Sequence, residues 1–333
     1  MWIVDVPGGI SMRSRLANGA ASLAGALVAL AAGAQGGPPP ASTPPAATPF
    51  RGEVSVAYVL VPVVAESKTG FAAGLSKNDF QLTVDGRPVG IESFESGADA
   101  PVGILFLQDL SGSMGIGAKL DHSRTLIRCV LGLERAGDEF AVASFGDRKL
   151  FVEVPFPGTR EAILEAAARF AGYGRTALHD AVGWLPDLVY SRATPRRAVV
   201  LLTDGVDNAS VLAPAAARNE VRQAEVPVHV VGLETGSIDA VDAAGDKVHR
   251  LADTLNLIGW ATGGSYRSTA SAADMRRACR EIVEQLRHQY VLGFSTRADG
   301  GAALHEIEVE VPGKSKKLRL RFRRSYHGAE PLE

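Results

Sequence analysis

The chain has 333 residues, of which 46% are hydrophobic and 22% are charged, so it is long enough to bury more than one core. Its formal net charge of −2 excludes the strongly basic composition typical of nucleic-acid-binding proteins. Two cysteines are too few for a disulfide-rich scaffold, and they lack the spacing of a zinc site. We therefore expect a globular protein with more than one structural unit and no nucleic-acid partner.

The N-terminus has the pattern of an export signal. Met12–Arg15 is basic, Leu16–Leu30 is rich in Ala and Leu, and residues 32–34 have the small side chains of a cleavage site. We predict residues 1–34 to be a signal peptide, with Met12 as a candidate start, and the protein to be exported to the periplasm, the cell surface or the medium. The alternative is a retained membrane anchor, for which the run is short, and only then do we expect membrane contact.

Residues 35–50 are rich in Pro, Ala and Thr, which predicts an extended linker. Residues 51–98 then have only β patterns. The Val-rich run Glu53–Ala65 is interrupted by Pro62, which favours an edge strand or a bulge. Phe80–Val84 alternates apolar and polar residues before Asp-Gly, which predicts a hairpin.

From residue 99 to 288, apolar strand patterns alternate with helical patterns. Two continuously apolar runs, Val102–Leu107 and Arg197–Leu202, are typical of strands covered on both faces. Further strands are predicted at Phe140–Phe145, Leu150–Val154, Val226–Leu233 and Ser265–Arg267. Helices are predicted at Lys119–Glu134, Arg160–Phe170, Ala177–Tyr190, His249–Thr262 and Asp274–His288, with a surface loop at Ser237–Lys247. This alternation predicts an α/β fold with a doubly wound, mostly parallel sheet flanked by helices.

Residues 289–326 return to β patterns, and a short tail covers residues 327–333. The predicted strands are Tyr290–Phe294, His305–Val311 and Lys317–Tyr326. Because β-only segments flank the α/β region, we expect the two ends of the chain to pair into one small β-domain.

Cys129 and Cys279 both lie in helical patterns. A thiol at such a position is more often a small core hydrophobe, which is the interpretation that the pattern favours. Export makes a disulfide chemically possible, so both alternatives stay open.

Oxygen-bearing side chains follow the apolar strands. Asp109, Ser111 and Ser113 occupy alternate positions after the first run, Asp204 follows the second, and Thr176 precedes a predicted helix. Because the carboxyl ends of parallel strands meet at one edge of a sheet, we expect these side chains to face one crevice. Oxygen donors without nearby His or Cys favour Mg²⁺, with Mn²⁺ or Ca²⁺ as alternatives, over zinc or copper.

This set of five residues resembles the metal-ion-dependent adhesion site of von Willebrand factor type A (VWA) domains, a Rossmann-like fold found also in integrin inserted domains. The segments Leu75–Phe80, Asp85–Pro88 and Leu286–Phe294 resemble the flanks of a bacterial exported VWA-related family. The resemblance implies a protein-binding or adhesion module that is not an enzyme. Its partner would be a protein that offers an Asp or Glu carboxylate to the metal.

The resemblance also implies a role for each residue. Ser111 and Ser113 would bind the metal through their hydroxyls, Thr176 directly or through water, and Asp109 and Asp204 through bridging waters. Gly112 would let the loop turn tightly, and Met114 would line the rim.

Two other classes of protein are weighed against this interpretation. The first is a scaffold subunit of a cell-envelope complex, in which the metal only stabilises the fold. The second is a metal-dependent hydrolase, which is disfavoured because no nucleophile and base accompany the site. A nucleotide site is excluded, because Ala118 separates Gly117 from Lys119 and breaks the phosphate-loop pattern.

Three polar stretches are interpreted as structural. Asp180 is expected to serve the first turn of its own helix, with His179 at the surface. Asp207-Asn208 is expected to be turn chemistry. The basic stretch Lys314–Arg324 has the alternation of a half-exposed strand with a solvated face, while binding to an anionic glycan or membrane is the alternative.

Overall fold

The computed structural model describes residues 2–4, 56–189, 196–205, 207–223, 226–234, 239–241, 247–297, 303–314 and 317–328. Nearly all of the predicted signal peptide, the whole linker and the end of the tail lie outside these residues, so those assignments stay predictions. The exception is Trp2–Val4, which pairs with Leu150–Val152 as an edge strand, a pairing that would be lost on cleavage of a signal peptide. Within the described part of the chain, none of the helices has the length and hydrophobicity needed to cross a membrane.

The described elements fall into three segments along the chain. The first has strands, which are β1 (Trp2–Val4), β2 (Val56–Ser67), β3 (Gly70–Phe71), β4 (Gln81–Val84), β5 (Arg87–Val89) and β6 (Ser93–Glu95), and one 3₁₀ turn, Lys77–Asp79. The second mixes strands and helices, which are β7 (Gly103–Asp109), α1 (Lys119–Leu131), β8 (Glu139–Gly146), β9 (Lys149–Gly158), α2 (Arg160–Ala168), α3 (Leu178–Gly183), α4 (Leu185–Leu188), β10 (Arg197–Thr203), α5 (Pro214–Gln223), β11 (Val228–Leu233), β12 (Asp239–Val241), β13 (Lys247–Arg250), α6 (Leu251–Ala261), β14 (Ser265–Thr269) and α7 (Ala272–Arg287). The third again has strands, which are β15 (Tyr290–Arg297), β16 (Ala303–Glu310), β17 (Arg319–Phe322) and β18 (Ser325–Gly328).

The second segment is built on a seven-stranded sheet in the order β1-β9-β8-β7-β10-β11-β14. Strands β8, β7, β10, β11 and β14 run parallel, β9 runs antiparallel to β8, and β1 pairs antiparallel with β9. Every residue of β7 is buried, which explains its continuously apolar run. Helices α1, α2 and α7 pack on one face, and α3 to α6 pack on the other. The predicted doubly wound, mostly parallel α/β fold is confirmed.

Strands from the two ends of the chain pair with each other. One antiparallel sheet has the order β17-β2-β15-β6, with β3 also paired to β2, and the other has the order β18-β16-β4-β5. The two sheets share one core that includes Val61, Leu82, Phe294 and Tyr326. The α/β segment is therefore inserted between the two parts of a small β-sandwich.

The β segments also refine two sequence expectations. The Asp85-Gly86 turn joins β4 and β5 with φ of 50° and 75°, the geometry of a type I′ hairpin. Strand β2 is an interior strand, not an edge, because β15 and β17 pair with its two sides. However, the pairing of β17 with β2 stops at Val63, so Pro62 is paired with β15 alone.

Several predicted helices and strands are shorter or divided. Residues 177–190 do not form one helix; α3 ends at Gly183 and α4 begins at Leu185, because Pro186 cannot donate the N–H that a continuous helix requires. Helix α1 ends before Leu133, whose side chain is exposed and not part of the apolar face. The predicted loop at 237–247 contains β12, which pairs with β13.

The basic stretch is not a uniformly solvated strand. Arg319 is exposed, but Arg321 is half-buried and forms an ion pair with Glu66 at 3.2 Å. Arg323 is buried and its guanidinium donates to the carbonyl oxygen of Ser325, which divides the predicted strand into β17 and β18. The expectation of one half-exposed strand is therefore wrong at Arg323.

A disulfide joins α1 to α7. Cys129 and Cys279 are bonded, with their Cα atoms 6.2 Å apart and 150 residues apart in the chain. The interpretation that the sequence favoured, two unpaired core thiols, is therefore wrong. The physical reason is that α1 and α7 lie side by side on the same face of the sheet, which the sequence pattern alone does not reveal.

A buried ion pair fixes the C-terminal end of α7. Arg287 Nη1 donates to Asp138 Oδ1 at 2.8 Å, and Nη2 contacts Oδ2, with side chains only 4% and 1% exposed. Asp138 also accepts the N–H groups of Val102 and Arg135. This carboxylate therefore connects the last helix of the α/β segment to the residue that precedes its first strand.

We predict that Asp138→Ala lowers the free energy of unfolding by about 3–5 kcal/mol, because it leaves the buried guanidinium of Arg287 without its partner. The matched control is Asp121→Ala, which removes an ion pair with Arg124 whose carboxylate is 74% exposed. We expect the control to cost no more than about 1 kcal/mol. Urea unfolding measures both, and equal losses would contradict the importance of the buried pair.

We also predict that the Cys129→Ala, Cys279→Ala double variant is less stable than the oxidised protein by up to about 5 kcal/mol, because the bond closes a long loop in the unfolded chain. Unfolding in denaturant, with and without a thiol reductant, measures the difference. The reductant should destabilise the wild type and leave the double variant unchanged. A wild type that is insensitive to reduction would argue against this contribution.

Candidate metal centre

Asp109 is the last residue of β7 and is fully buried. Its Oδ1 accepts the backbone N–H of Ser111 at 2.8 Å, and its Oδ2 accepts the hydroxyl of Thr203 at 2.7 Å. Thr203 ends the neighbouring strand β10, and its Oγ1 also accepts the N–H of Gly205. One carboxylate therefore links the loops that follow two adjacent strands.

Burial raises the pKa of Asp109 to about 6, and the negative charge of Asp204 adds to the increase. The hydrogen bonds from Thr203 and Ser111 act in the opposite direction, but they do not outweigh the loss of hydration. Ionisation of Asp109 is therefore less favourable in the protein than in water, and a cation beside it would offset that cost.

The two serine hydroxyls of the first loop face each other. Ser111 Oγ and Ser113 Oγ are 3.2 Å apart, and Ser113 lies in a short 3₁₀ turn, Gly112–Gly115. The expectation that Met114 lines the rim is wrong, because its side chain is completely buried in the core beneath the sheet edge. The turn directs the two serine hydroxyls to the site, and it directs the side chain of Met114 to the interior.

The loop that carries Thr176 is joined to the first loop through its backbone. The N–H of Gly112 donates to the carbonyl oxygen of Gly174 at 3.0 Å. Gly174 has a φ of 65°, and a Cβ there would lie 2.2 Å from the carboxyl carbon of Asp147. That carboxylate accepts the N–H of Arg175 at 2.7 Å. Only glycine fits this position. Thr176, two residues later, is buried, with 2% exposure.

The same loop is bound to the segment after Asp204. The N–H of Thr176 donates to Asn208 Oδ1 at 2.9 Å, and the N–H of His179 donates to Asp207 Oδ2 at 2.9 Å. Asp207 and Asn208 are therefore more than local turn residues, because their side chains fix the start of α3.

His179 and Asp180 also differ in part from expectation. His179 is half-buried with its ring against Asp207, and is not a surface residue. Asp180 lies in the first turn of α3, as expected, but its carboxylate also accepts the N–H groups of Val211 and Leu212 and so binds the neighbouring loop.

Lys119, the first residue of α1, contributes a charge that the sequence interpretation missed. Its Nζ lies 2.8 Å from Asp204 Oδ2 and donates to the carbonyl oxygen of Ser113 at 3.2 Å. The other oxygen, Asp204 Oδ1, is buried and has no hydrogen-bond partner among the described residues. The available signal in the sequence is a lysine at the start of the helix that follows the candidate metal loop.

The side chains of Asp109, Ser111, Ser113 and Asp204 thus lie at the carboxyl edge of the parallel sheet, and Thr176 is bound to the same edge through its backbone. Among the described residues, no three His, Cys, Asp or Glu side chains are grouped as a metal cluster. The donor set of hydroxyls and two carboxylates suits a hard cation, and the unpartnered Oδ1 of Asp204 is a polar atom that a bound cation would satisfy.

Comparison with known proteins gives a family match for the same part of the chain. Residues 104–206 match the family model of the von Willebrand factor type A domain. No curated protein matches the chain.

Several solved structures are similar in fold. A von Willebrand factor type A protein from Catenulispora acidiphila has 13% identity and a TM-score of 0.47, covering 84% of this chain and 76% of its own. An aerotolerance-related membrane protein from Bacteroides fragilis has 19% identity and a TM-score of 0.43, covering 55% and 99%. The vWF domain of a type V pili tip protein from Porphyromonas gingivalis has 11% identity and a TM-score of 0.44, covering 56% and 95%.

The sheet order, the parallel strands that end at Asp109 and Thr203, and the match over residues 104–206 agree with one another. The segment around residues 104–206 therefore has the fold of a von Willebrand factor type A domain.

Proposed function

We propose that the protein is an exported binding module that uses a divalent cation, with Mg²⁺ as the first choice and Mn²⁺ or Ca²⁺ as alternatives, to bind an acidic residue of a partner protein. The observation that carries the proposal is the grouping of two buried carboxylates and two facing hydroxyls at one sheet edge, where Asp204 Oδ1 has no partner among the described residues. Such a set can hold a hard cation through oxygen atoms.

Each candidate residue has a role in this proposal. Ser111 and Ser113 bind the cation through their hydroxyl oxygens, and Thr176 binds it directly or through water. Asp109 and Asp204 hold the waters that complete the protein's side of the site. When bound, the cation supplies a Lewis-acidic position for a partner's Asp or Glu carboxylate, since neutral hydroxyl ligands leave most of its charge uncompensated.

The hydrogen bonds between the loops favour a binding role for the cation over a purely stabilising one. The loop after β7, the loop that carries Thr176 and the segment after β10 are already joined by hydrogen bonds. Gly112 bonds to Gly174, Thr176 bonds to Asn208, and Asp109 bonds to Thr203. Because these bonds hold the loops together within the protein, the scaffold function with a structural metal is the second candidate.

A non-enzymatic role is part of the proposal. The hydroxyls of Ser111 and Ser113 contact each other, and among the described hydrogen bonds neither contacts a histidine that could act as a base. A disulfide between Cys129 and Cys279 supports export, because such bonds persist in compartments outside the reducing cytosol.

We predict that Ser111→Ala weakens Mg²⁺ binding by about tenfold or more, because it removes a hydroxyl ligand, and changes the free energy of unfolding by less than about 1 kcal/mol. Titration calorimetry measures the affinity. The control is Thr125→Ala, which removes an exposed hydroxyl on α1 that donates to the carbonyl oxygen of Asp121. Affinity capture from the cell envelope in Mg²⁺ and in EDTA then tests partner binding.

The two candidate functions give different results with the chelator. If EDTA abolishes capture and leaves the melting temperature unchanged, the binding role holds. If EDTA mainly lowers the melting temperature, the metal is structural. Equal Mg²⁺ affinity in the Ser111→Ala and wild-type proteins would argue against the assigned ligand set.

We predict that Mg²⁺ binds about tenfold more weakly at about pH 5 than at about pH 7.5, because a proton on Asp109 competes with the cation below its pKa of about 6. Calorimetry at the two pH values checks this, and equal affinities would contradict it.

In EDTA, with no cation bound, we expect the free energy of unfolding to change with pH in the opposite direction. Because the pKa of Asp109 is higher in the folded protein than the ordinary 3.8, its contribution to stability is complete below about pH 4 and is lost as the pH rises through about 6. In Asp109→Asn this part of the pH profile should be flat.

A further inference from the structure

A cleft of about 390 Å³ lies between the α/β segment and the β-sandwich. Trp260, Gly263, Gly264 and Tyr266, from the end of α6 and the start of β14, form one side, and β17 forms the other. Gly264 precedes β14, so the cleft lies at the amino ends of the parallel strands, whereas the candidate metal centre lies at their carboxyl ends. It is therefore a separate site.

The edge of β17 faces this cleft. Successive side chains of a strand point to opposite faces, so a cavity beside one face of a strand is lined by alternate residues. This cleft is lined by Arg319, Leu320, Arg321 and Phe322 in succession. Strand β17 is also the last strand of its sheet, and among the described strands only β2 pairs with it. The backbone of its outer edge is therefore directed to the cleft from Arg319 to Arg321, whereas at Phe322 the edge is covered by Gly263, where a Cβ would lie 2.6 Å from the carbonyl carbon of Phe322.

The charged side chains that line the cleft are arginines. The side chain of Arg319 is exposed and has no hydrogen bond or ion pair among the described residues. Arg321 uses one guanidinium nitrogen for Glu66, and its buried Nε has no partner there. Arg324 also lines the cleft, and no Asp or Glu side chain does so among the described residues. Three guanidinium groups at a site without lining carboxylates favour an anionic ligand.

An exposed aromatic side chain lies in the same cleft. Trp260 is 52% exposed, which is unusual for so large an apolar residue. The guanidinium of Arg324 lies 5.5 Å from the centre of its ring and 4.1 Å from the ring centre of Phe322. These cation–π contacts order Arg324 and leave an apolar surface beside the arginines.

We propose that this cleft binds an extended acidic peptide segment of a partner protein, which adds as a strand to the outer edge of β17. The backbone of the segment bonds to β17, its Asp or Glu side chains pair with Arg319 and Arg324, and an apolar side chain packs on Trp260. The open strand edge distinguishes this ligand from an anionic glycan, because a glycan has no ladder of N–H and C=O groups to pair with it. The site needs no cation, so it goes beyond the proposed metal-dependent function.

The test uses the full chain and a short fluorescein-labelled peptide of alternating glutamate and valine, followed by fluorescence anisotropy. A peptide with lysine in place of glutamate is the charge control. We expect the acidic peptide to bind and Arg319→Glu to weaken it by about tenfold or more, because the change reverses a charge in the cleft. The matched control is Arg276→Glu, an equally exposed arginine on α7, which should change the affinity less than about twofold.

Two further measurements separate this site from its alternatives. Methylation of alternate amide nitrogens of the peptide should abolish binding when the methyl groups lie on the edge that pairs with β17. Methylation of the opposite edge should have little effect. EDTA should leave binding unchanged, so the result is independent of the metal-dependent proposal. Absence of peptide binding, equal weakening by both arginine variants, insensitivity to methylation, or binding of heparin oligosaccharides in preference to the peptide would overturn the proposal.

Discussion

The parallel alignment of β7 with β10 is the constraint on which the rest of the candidate centre depends. Leu202 is in register with Gln108, so the next residue of each strand, Thr203 and Asp109, meet at the sheet edge and form their 2.7 Å hydrogen bond. A slip of one residue would turn the side chains of one strand to the opposite face and separate this pair. Both faces of these strands pack closely against helices, which opposes such a slip because each side chain is fitted to its own neighbours.

The charges at this edge are partly balanced by the protein itself. Two buried carboxylates, Asp109 and Asp204, would repel each other strongly, but the ammonium of Lys119 lies 2.8 Å from Asp204. It contacts one oxygen of that carboxylate and leaves the other without a partner among the described residues. The loops can thus keep their arrangement before a cation arrives, which is the property that a preorganised binding site requires.

The fold class could be predicted from sequence because it depends on patterns within single elements, such as the apolar run of β7 and the amphipathic α7. The candidate residues could be named because their chemistry and spacing are visible in the chain, although their metal-binding roles stay predictions. Contacts that depend on which elements become neighbours could not be predicted. The bridge between Cys129 and Cys279, the pairing of Lys119 with Asp204 and the burial of Arg323 are of this kind.

The insertion of the α/β segment has a mechanical consequence. Its chain enters from β6 and leaves into β15, and these two strands are hydrogen-bonded neighbours, with Phe94 opposite Leu292. The Asp138–Arg287 pair lies at this base, at the end of the sheet away from Asp109. Tension on a ligand at the carboxyl edge would therefore pass through the sheet into two adjacent strands, which share the load. Resistance to such tension depends on the rate of forced unfolding more than on equilibrium stability.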